Sequence, residues 1–395
     1  MRDAFVREKS HIFSLKEDFY MSFQKCRVAL IGSGMISGVY LENLKSFDAI
    51  ELVGCSDIVP ERAKKRAEEF GIAAMTNEEI LNDPEIELVV NTTYPLAHYD
   101  VAKQCLLHGK HVYTEKLIVE TLAQARELQA IADERGLFFG GAPDTWLGGS
   151  AQLAKLIIES GLIGTPTMVD ATLFRSYHNE RFSTSAEKRF SFCRHGGIIF
   201  DMGAYYLSHM AFLLGPIAEV SGLGEIRNPD RVYENPQNPA CGEKMTVESW
   251  NNVTGSLKFK NGVFGHLTVS AEGSAVMNRF IISGTDGMLD LGDPNEYEDH
   301  VTVTNKSGQQ SVIYTPFGYH GKNFRGIGVL DAAYALRNGR TPRTNGAFCT
   351  HVLEAANGIC ESIETRSVYR MTTSIEPPKP LPAGYTEYPE LVFTK

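Results

Sequence analysis

The run Gly32-Ser33-Gly34-Met35-Ile36-Ser37 follows directly on the apolar stretch CRVALI at 26–31. In this G-x-G-x-x-S pattern the first glycine permits a tight turn and the second lets the backbone approach a pyrophosphate. The third position needs a small residue for helix–strand packing, and Ser37 is small. Asp57 closes the next apolar stretch, LVGCS at 52–56. A carboxylate at that distance accepts hydrogen bonds from ribose hydroxyls and repels a 2′-phosphate. No arginine follows it immediately, so the pattern favours NAD(H) over NADP(H).

These residues act only if strands and helices hold them. Short apolar runs alternate with amphipathic segments from residue 26 onward: strands at 26–31, 52–56, 86–91, 110–114 and 137–140, and helices at 34–45, 60–70, 97–108 and 121–135. Pro60 and Gly71 bracket one helix, and Gly136 closes another. Strand–helix alternation implies a parallel sheet with right-handed crossovers. After about residue 145 the grammar changes. Helices at 151–160 and about 197–214 give way mainly to strands, with hairpins expected at Asn261-Gly262 and Asp286-Gly287. Further helices are expected at about 323–337 and 347–365. The reading is an α/β chain: residues 21–145 form an N-terminal Rossmann dinucleotide-binding domain, and 146–395 a C-terminal α+β domain with a mostly antiparallel sheet. The helix at 347–365 is expected to pack back on the first domain. Residues 1–20 fit no secretory signal and read as an extension, disordered or not native.

Of 395 residues, 43% are hydrophobic and 22% charged, as in an ordinary soluble globular protein. The net charge of −10, with no basic patch to offset it, speaks against a nucleic-acid partner. No apolar stretch approaches the length of a membrane span. Seven cysteines at irregular spacings, several inside apolar runs, suit buried thiols in a reducing cytoplasm. No C-x-x-C, H-E-x-x-H or G-x-S-x-G pattern appears, so neither a metal centre nor a serine nucleophile is expected.

Three further segments stand out: Asn91-Thr92-Thr93-Tyr94-Pro95-Leu96-Ala97-His98, then Tyr113-Thr114-Glu115-Lys116-Leu117, then Gly196-Gly197-Ile198-Ile199-Phe200-Asp201-Met202-Gly203-Ala204-Tyr205. With the glycine fingerprint, their order resembles the Gfo/Idh/MocA oxidoreductase family over about residues 24–370. The resemblance implies an NAD-dependent dehydrogenase or reductase acting on the CH–OH groups of a sugar, polyol or glycoside, assembled as a homodimer or homotetramer through its open sheet. It assigns Lys116, Asp201 and Tyr205 to catalysis, Tyr205 standing where many members carry histidine. Leu117 replaces the proline that usually follows the lysine. It places Thr93, Tyr94, Pro95, His98, Glu115 and Lys116 near the cofactor, together with Gly32, Ser33, Gly34, Met35, Ile36 and Asp57.

On a helix, Asp201 and Tyr205 are one turn apart and face the same way. Alcohol oxidation needs a hydride acceptor and a base. A phenol with a pKa of about 10 is a poor base, but a lysine cation about 6 Å away at an effective dielectric of about 20 lowers that value by roughly two units. The same charges act on Lys116, so the division of the proton between lysine and tyrosine stays open. Asp201 is expected to orient the substrate and the lysine. Substrate contacts are expected from Lys116, Asp201, Tyr205, Trp146, Arg175 and His209. Trp146 could stack on a sugar or cap the domain junction, and His209 could equally be helix packing. The loop at 174–195, with Arg175, His178, Arg181, Lys188, Arg189 and Arg194, is a candidate lid. Two rivals share the fold: an NAD-dependent glycosidase, which oxidises its sugar only transiently, and a non-catalytic sugar sensor.

Overall fold

A computed structural model describes residues 24–176, 181 and 192–382. The expected extension at 1–20, and His178, Lys188 and Arg189 of the candidate lid, lie outside the described residues.

The first sheet is built from β1 (Cys26–Ile31), β2 (Ile50–Ser56), β3 (Ala73–Ala74), β4 (Leu88–Asn91), β5 (His111–Thr114) and β6 (Phe139–Gly141). They run parallel in the order β3-β2-β1-β4-β5-β6. The covering helices are α1 (Ser37–Ser46), α2 (Pro60–Phe70), α3 (Asn77–Asn82), α4 (His98–Leu107) and α5 (Leu122–Arg135). Local chemistry sets their ends. Pro60 opens α2, and Gly71 closes it at φ 63°. Capping boxes at Thr76 with Glu79 and at Thr121 with Gln124 start α3 and α5. The register then fixes the site. Ile31 pairs with Ser56 and with Asn91, and Asn91 pairs with Thr114. Gly32, Asp57, Thr92 and Glu115, each the next residue in its strand, therefore emerge side by side. They do so where strand order reverses between β1 and β4, the place where open parallel sheets bind ligands.

After α6 (Gly149–Glu159), a second sheet takes over: β7 (Pro166–Ser176), β8 (Ile217–Glu225), β11 (Asn252–Phe259), β12 (Phe264–Ser270), β13 (Glu272–Gly284), β14 (Gly287–Asp290), β15 (His300–Asn305), β16 (Gln310–Tyr314) and β17 (Tyr369–Arg370). Its order is β16-β15-β14-β13-β7-β12-β11-β8-β17. Only β7 and β12 pair in parallel; the other neighbours are antiparallel. The turns at Asn261-Gly262 and Asp286-Gly287 join antiparallel partners, with Gly262 at φ 90°. A small separate hairpin pairs β9 (Asp230–Val232) with β10 (Lys244–Thr246).

Three helices complete the fold: α7 (Ala204–Leu214), α8 (Ile327–Asn338) and α9 (Gly346–Thr365). The last packs on α7 and β8 of the second half and on α5 and β6 of the first. Two helix starts differ from the sequence reading. The helix expected from 197 begins with a π turn at Ile199–Gly203, and α7 continues it. The helix expected from 323 begins only at Ile327. Gly326 is left-handed at φ 99°, and Asp144 accepts the N–H groups of Gly326 and Gly328 at 2.9 and 3.0 Å. Asp144 also accepts from Tyr113 Oη at 2.9 Å and Tyr297 Oη at 3.3 Å, so one buried carboxylate ties β5 to the second half.

Candidate active site

A cleft of about 570 Å³ opens at the C-terminal edge of the first sheet. Its walls carry Gly32, Gly34, Met35, Ile36, Asp57, Thr93, Tyr94, Pro95, His98, Glu115, Lys116 and Asp201. Gly32 is forced: at φ 104° a Cβ would sit 2.5 Å from the Thr93 nitrogen. Gly34 is open: a Cβ there would meet nothing within 4 Å and would project into the cleft space. Behind it, α1 starts with no side chain capping its N–H groups. Free backbone donors around an open glycine form a cradle that fits a pyrophosphate.

Ser33 is buried behind the cleft wall rather than lining it. Its N–H donates to Asp57 Oδ2 at 2.8 Å, and Val59 N–H donates to Oδ1 at 2.8 Å. Two backbone donors thus fix the carboxylate, whose remaining lone pairs are available to ribose hydroxyls. Arg62, on the first turn of α2, lines the same end of the cleft. The sequence reading stopped short of it, because helical geometry brings a residue five positions on back beside Asp57.

At the other end, Lys116 Nζ pairs with Asp201 Oδ1 and donates to the Asp201 carbonyl at 2.9 Å. The π turn presents both oxygens of Asp201 to the lysine, a frequent use of π geometry at functional sites. Lys116 Nζ also lies 5.6 Å from the centre of the Tyr205 ring. Burial works to lower the lysine's pKa, but Asp201, Tyr205 and Glu115 outweigh it and hold Lys116 as a cation, its pKa raised. Tyr205 is 4% exposed. Burial outweighs the pull of Lys116 and Arg325, so its phenol pKa is raised, not lowered as the cation alone would have it. The resting pair is therefore an ammonium and a neutral phenol. Glu115 is buried, accepts from Tyr40 Oη at 3.1 Å, and is pushed up by its burial.

His98, at the start of α4, is 1% exposed. Its Nδ1 lies 2.7 Å from the Leu117 carbonyl oxygen and its Nε2 3.1 Å from that of Thr93. The ring thus braces the two loops that carry Thr93 and Lys116. Leu117 leaves this turn less free than a non-proline residue suggests, being buried and held through its carbonyl, and the Lys116–Leu117 peptide is cis.

Residues 26–140 match the family described as "Oxidoreductase family, NAD-binding Rossmann fold", and residues 151–290 match the GFO/IDH/MocA C-terminal domain. The chain belongs to the Gfo/Idh/MocA oxidoreductase family. This oxidoreductase is 25% identical over 360 residues to scyllo-inositol 2-dehydrogenase (NAD(+)) of Bacillus subtilis, covering 87% of this chain and 98% of that one. It is 26% identical over 274 residues to trans-1,2-dihydrobenzene-1,2-diol dehydrogenase of Bos taurus, covering 68% and 74%. Levoglucosan dehydrogenase in complex with NADH shares the fold, with a TM-score of 0.77 at 21% identity, over 89% of this chain and 100% of that one. The oxidoreductase binds NAD through its first half.

Three residues expected at the substrate lie elsewhere. Trp146 is fully buried, its ring 4.8 Å from Phe212 and 4.9 Å from Phe348, so it plugs the domain junction and has no face to offer a sugar. His209 is buried in α7, with Nδ1 2.7 Å from the Tyr205 carbonyl and its ring edge-on to Phe280; it packs the helix. Arg175, at the end of β7, donates to Asn278 Oδ1 at 2.5 Å and to Asp293 Oδ2 at 3.0 Å, so its guanidinium is engaged within the second half; like Tyr205, it is not on the walls of the cofactor cleft. A residue the sequence reading did not single out, Arg325, meets Tyr205 instead. Its Nη2 donates to Tyr205 Oη at 3.3 Å. An arginine at the mouth of an apolar helix gave no local signal, since a cation is unfavourable at a helix N-terminus.

Proposed function

We propose that this oxidoreductase uses NAD(H) to interconvert a secondary hydroxyl and a ketone on a sugar, polyol or related glycoside. The observation that carries this reading is the junction of Lys116, on a loop of the first sheet, with Asp201 and Tyr205 on the π turn and helix of the second half. A nicotinamide held in this cleft would supply the hydride acceptor or donor. Lys116, held as a cation, orients the reacting oxygen and stabilises negative charge on it. Asp201 aims the lysine and offers an acceptor to a neighbouring hydroxyl. Tyr205, a neutral phenol at rest, donates its Oη proton to the oxygen in ketone reduction; in alcohol oxidation it first loses that proton to solvent and, as the phenolate, takes up the proton of the substrate hydroxyl.

Asp57 supports NAD(H) over NADP(H), because its fixed carboxylate repels a 2′-phosphate. The inositol and dihydrodiol dehydrogenases among the relatives support a ring bearing hydroxyl groups as substrate. The open face of the second sheet exposes Met168, Leu223, Phe264, Met277, Val312 and Tyr314, which supports a homodimer or homotetramer formed there. Buried thiols at Cys26, Cys105 and Cys349, each pushed up to about 12 by burial, suit a reducing cytoplasm. Among the described residues, no helix is long and apolar enough to cross a membrane.

The test is formation of NADH from NAD+ with a panel of inositols, levoglucosan and simple aldoses. The reading requires NADH with at least one polyol or sugar. NADH binding without turnover of any of them, or aglycone release from a glycoside with no net NADH, would overturn it.

A further inference from the structure

Arg325 is 9% exposed and lies just before α8. A buried guanidinium normally has a carboxylate partner. Among the described residues none pairs with Arg325. Its Nη2 donates to Asn295 Oδ1 at 2.5 Å, to the Asn295 carbonyl at 3.4 Å and to Tyr205 Oη at 3.3 Å. Its guanidinium carbon lies 5.5 Å from the centre of the Tyr205 ring. The ionisable groups around it include Tyr205, Tyr297, Glu115 and Glu296, and Tyr205 is the one it touches.

We infer that Arg325 is the positioning residue that holds the Tyr205 oxygen and stabilises its phenolate during proton transfer. This rests on the reading of Tyr205 as the group that handles the substrate proton.

Other groups also act around Tyr205. Lys116 and Glu115 come from the loop after β5, Tyr40 from α1, Tyr297 from the segment before β15, Asp201 from the π turn, and His209 from α7. Lys116, paired with Asp201, is the larger positive influence on the phenol and Arg325 the second, but Arg325 is the cation that hydrogen-bonds the phenol oxygen. Geometry assigns it direction as well. Arg325 donates to Tyr205 Oη, so the tyrosine's own O–H must point away from the guanidinium. The proton to be exchanged is directed elsewhere, and only the charge is shared with Arg325.

The arginine is held from both halves of the protein. Asn43 Nδ2, on α1, donates to the carbonyls of Asn323 and Arg325 at 3.1 and 2.9 Å. Asn323 Oδ1 accepts Arg325 N–H at 3.0 Å, and Asp144 fixes the next turn. The helix that follows the dinucleotide loop thus sets the arginine that sets the tyrosine.

The experiment places a fluorinated tyrosine at position 205 and follows its phenol by fluorine NMR as pH is varied, with no substrate or cofactor present. The lower intrinsic pKa of the fluorinated ring brings ionisation into the range where the protein stays folded. A cation 5.5 Å away at an effective dielectric of about 20 is worth about two pH units. Arg325→Met should raise the phenol pKa by about one to two units, and Arg325→Lys by less than about half a unit. A shift below about 0.3 units in Arg325→Met, or equal shifts in both variants, overturns the inference. Should Arg325→Met not fold, Asn295→Ala, which releases the guanidinium but keeps its charge, carries the test. A rise of about half a unit supports the inference, and no rise overturns it. The titration reads the charge at Tyr205 whether or not the enzyme turns over. Failure of the proposed reaction would appear instead as full activity in Tyr205→Phe.

Discussion

Replacing Gly34 by valine, and separately Gly32 by alanine, divides two jobs that the fingerprint performs. At Gly32 a Cβ would lie 2.5 Å from the Thr93 nitrogen and 2.6 Å from the Thr92 carbonyl carbon, both main chain, at φ 104°. Neither neighbour can yield without moving the end of β4. Strain of that kind costs about 2–4 kcal/mol and, in a chain of this size, lowers the Tm by about 2–5 °C. At Gly34 the φ is not positive and no atom lies within 4 Å of the added carbon. Gly34→Val should therefore melt within about 1 °C of the parent. Its side chain fills the cradle instead. Backbone bonds to a charged group are worth about 1.5–3 kcal/mol each, so displacing a phosphate from two of them weakens binding by at least about 100-fold. Thermal unfolding without ligand and an NADH fluorescence titration read the two effects separately. NADH binding within about threefold of the parent in Gly34→Val would refute the placement of the pyrophosphate.

Three further outcomes are expected. Asp57→Asn should narrow the preference for NADH over NADPH by about tenfold or more, Arg62 lying on the same wall; an unchanged ratio in paired titrations would remove Asp57 as the selector. Asp144→Ala leaves the N–H groups of Gly326 and Gly328 and the hydroxyls of Tyr113 and Tyr297 without their acceptor, and should cost at least about 3 kcal/mol in urea unfolding; a loss under about 1 kcal/mol would deny it the role of joint. His98, His209 and His351 are buried, with pKa values lowered to about 4 chiefly by desolvation. Unfolded histidines take up protons below about pH 6.5 while these do not, so stability is full above that pH and falls as pH drops toward 4, by up to about 4 kcal/mol per pH unit for the three. A Tm that stays flat from pH 6.5 to 5 would contradict that.

The cofactor half was readable because its information is local. Strand, glycine turn, helix and Asp57 lie within one short stretch, and parallel register then aligns Gly32, Asp57, Thr92 and Glu115 without further instruction. The pairing of Lys116 with Asp201 spans 85 positions and came only from the order of three motifs. What escaped was decided by packing between distant segments. Trp146 and His209 are chemically able to touch a sugar, but Phe212, Phe348 and Phe280 enclose them. Arg325 meets Tyr205, 120 positions away, and is held by Asn43, 282 positions away. Its own neighbourhood suggested only the start of a helix. That start moved because Asp144 caps the N–H groups from another part of the chain.

The central claim is that Tyr205 moves the substrate proton beside a permanently charged Lys116. Its most direct measurement compares NADH formation by the parent, Tyr205→Phe and Lys116→Met on whichever polyol or sugar the parent oxidises, with NADH affinity measured on the same samples. A fall in kcat of at least about 100-fold is predicted in each variant, with NADH affinity within about threefold in Tyr205→Phe, whose ring is not on the cleft wall. Turnover by Tyr205→Phe close to that of the parent would contradict it.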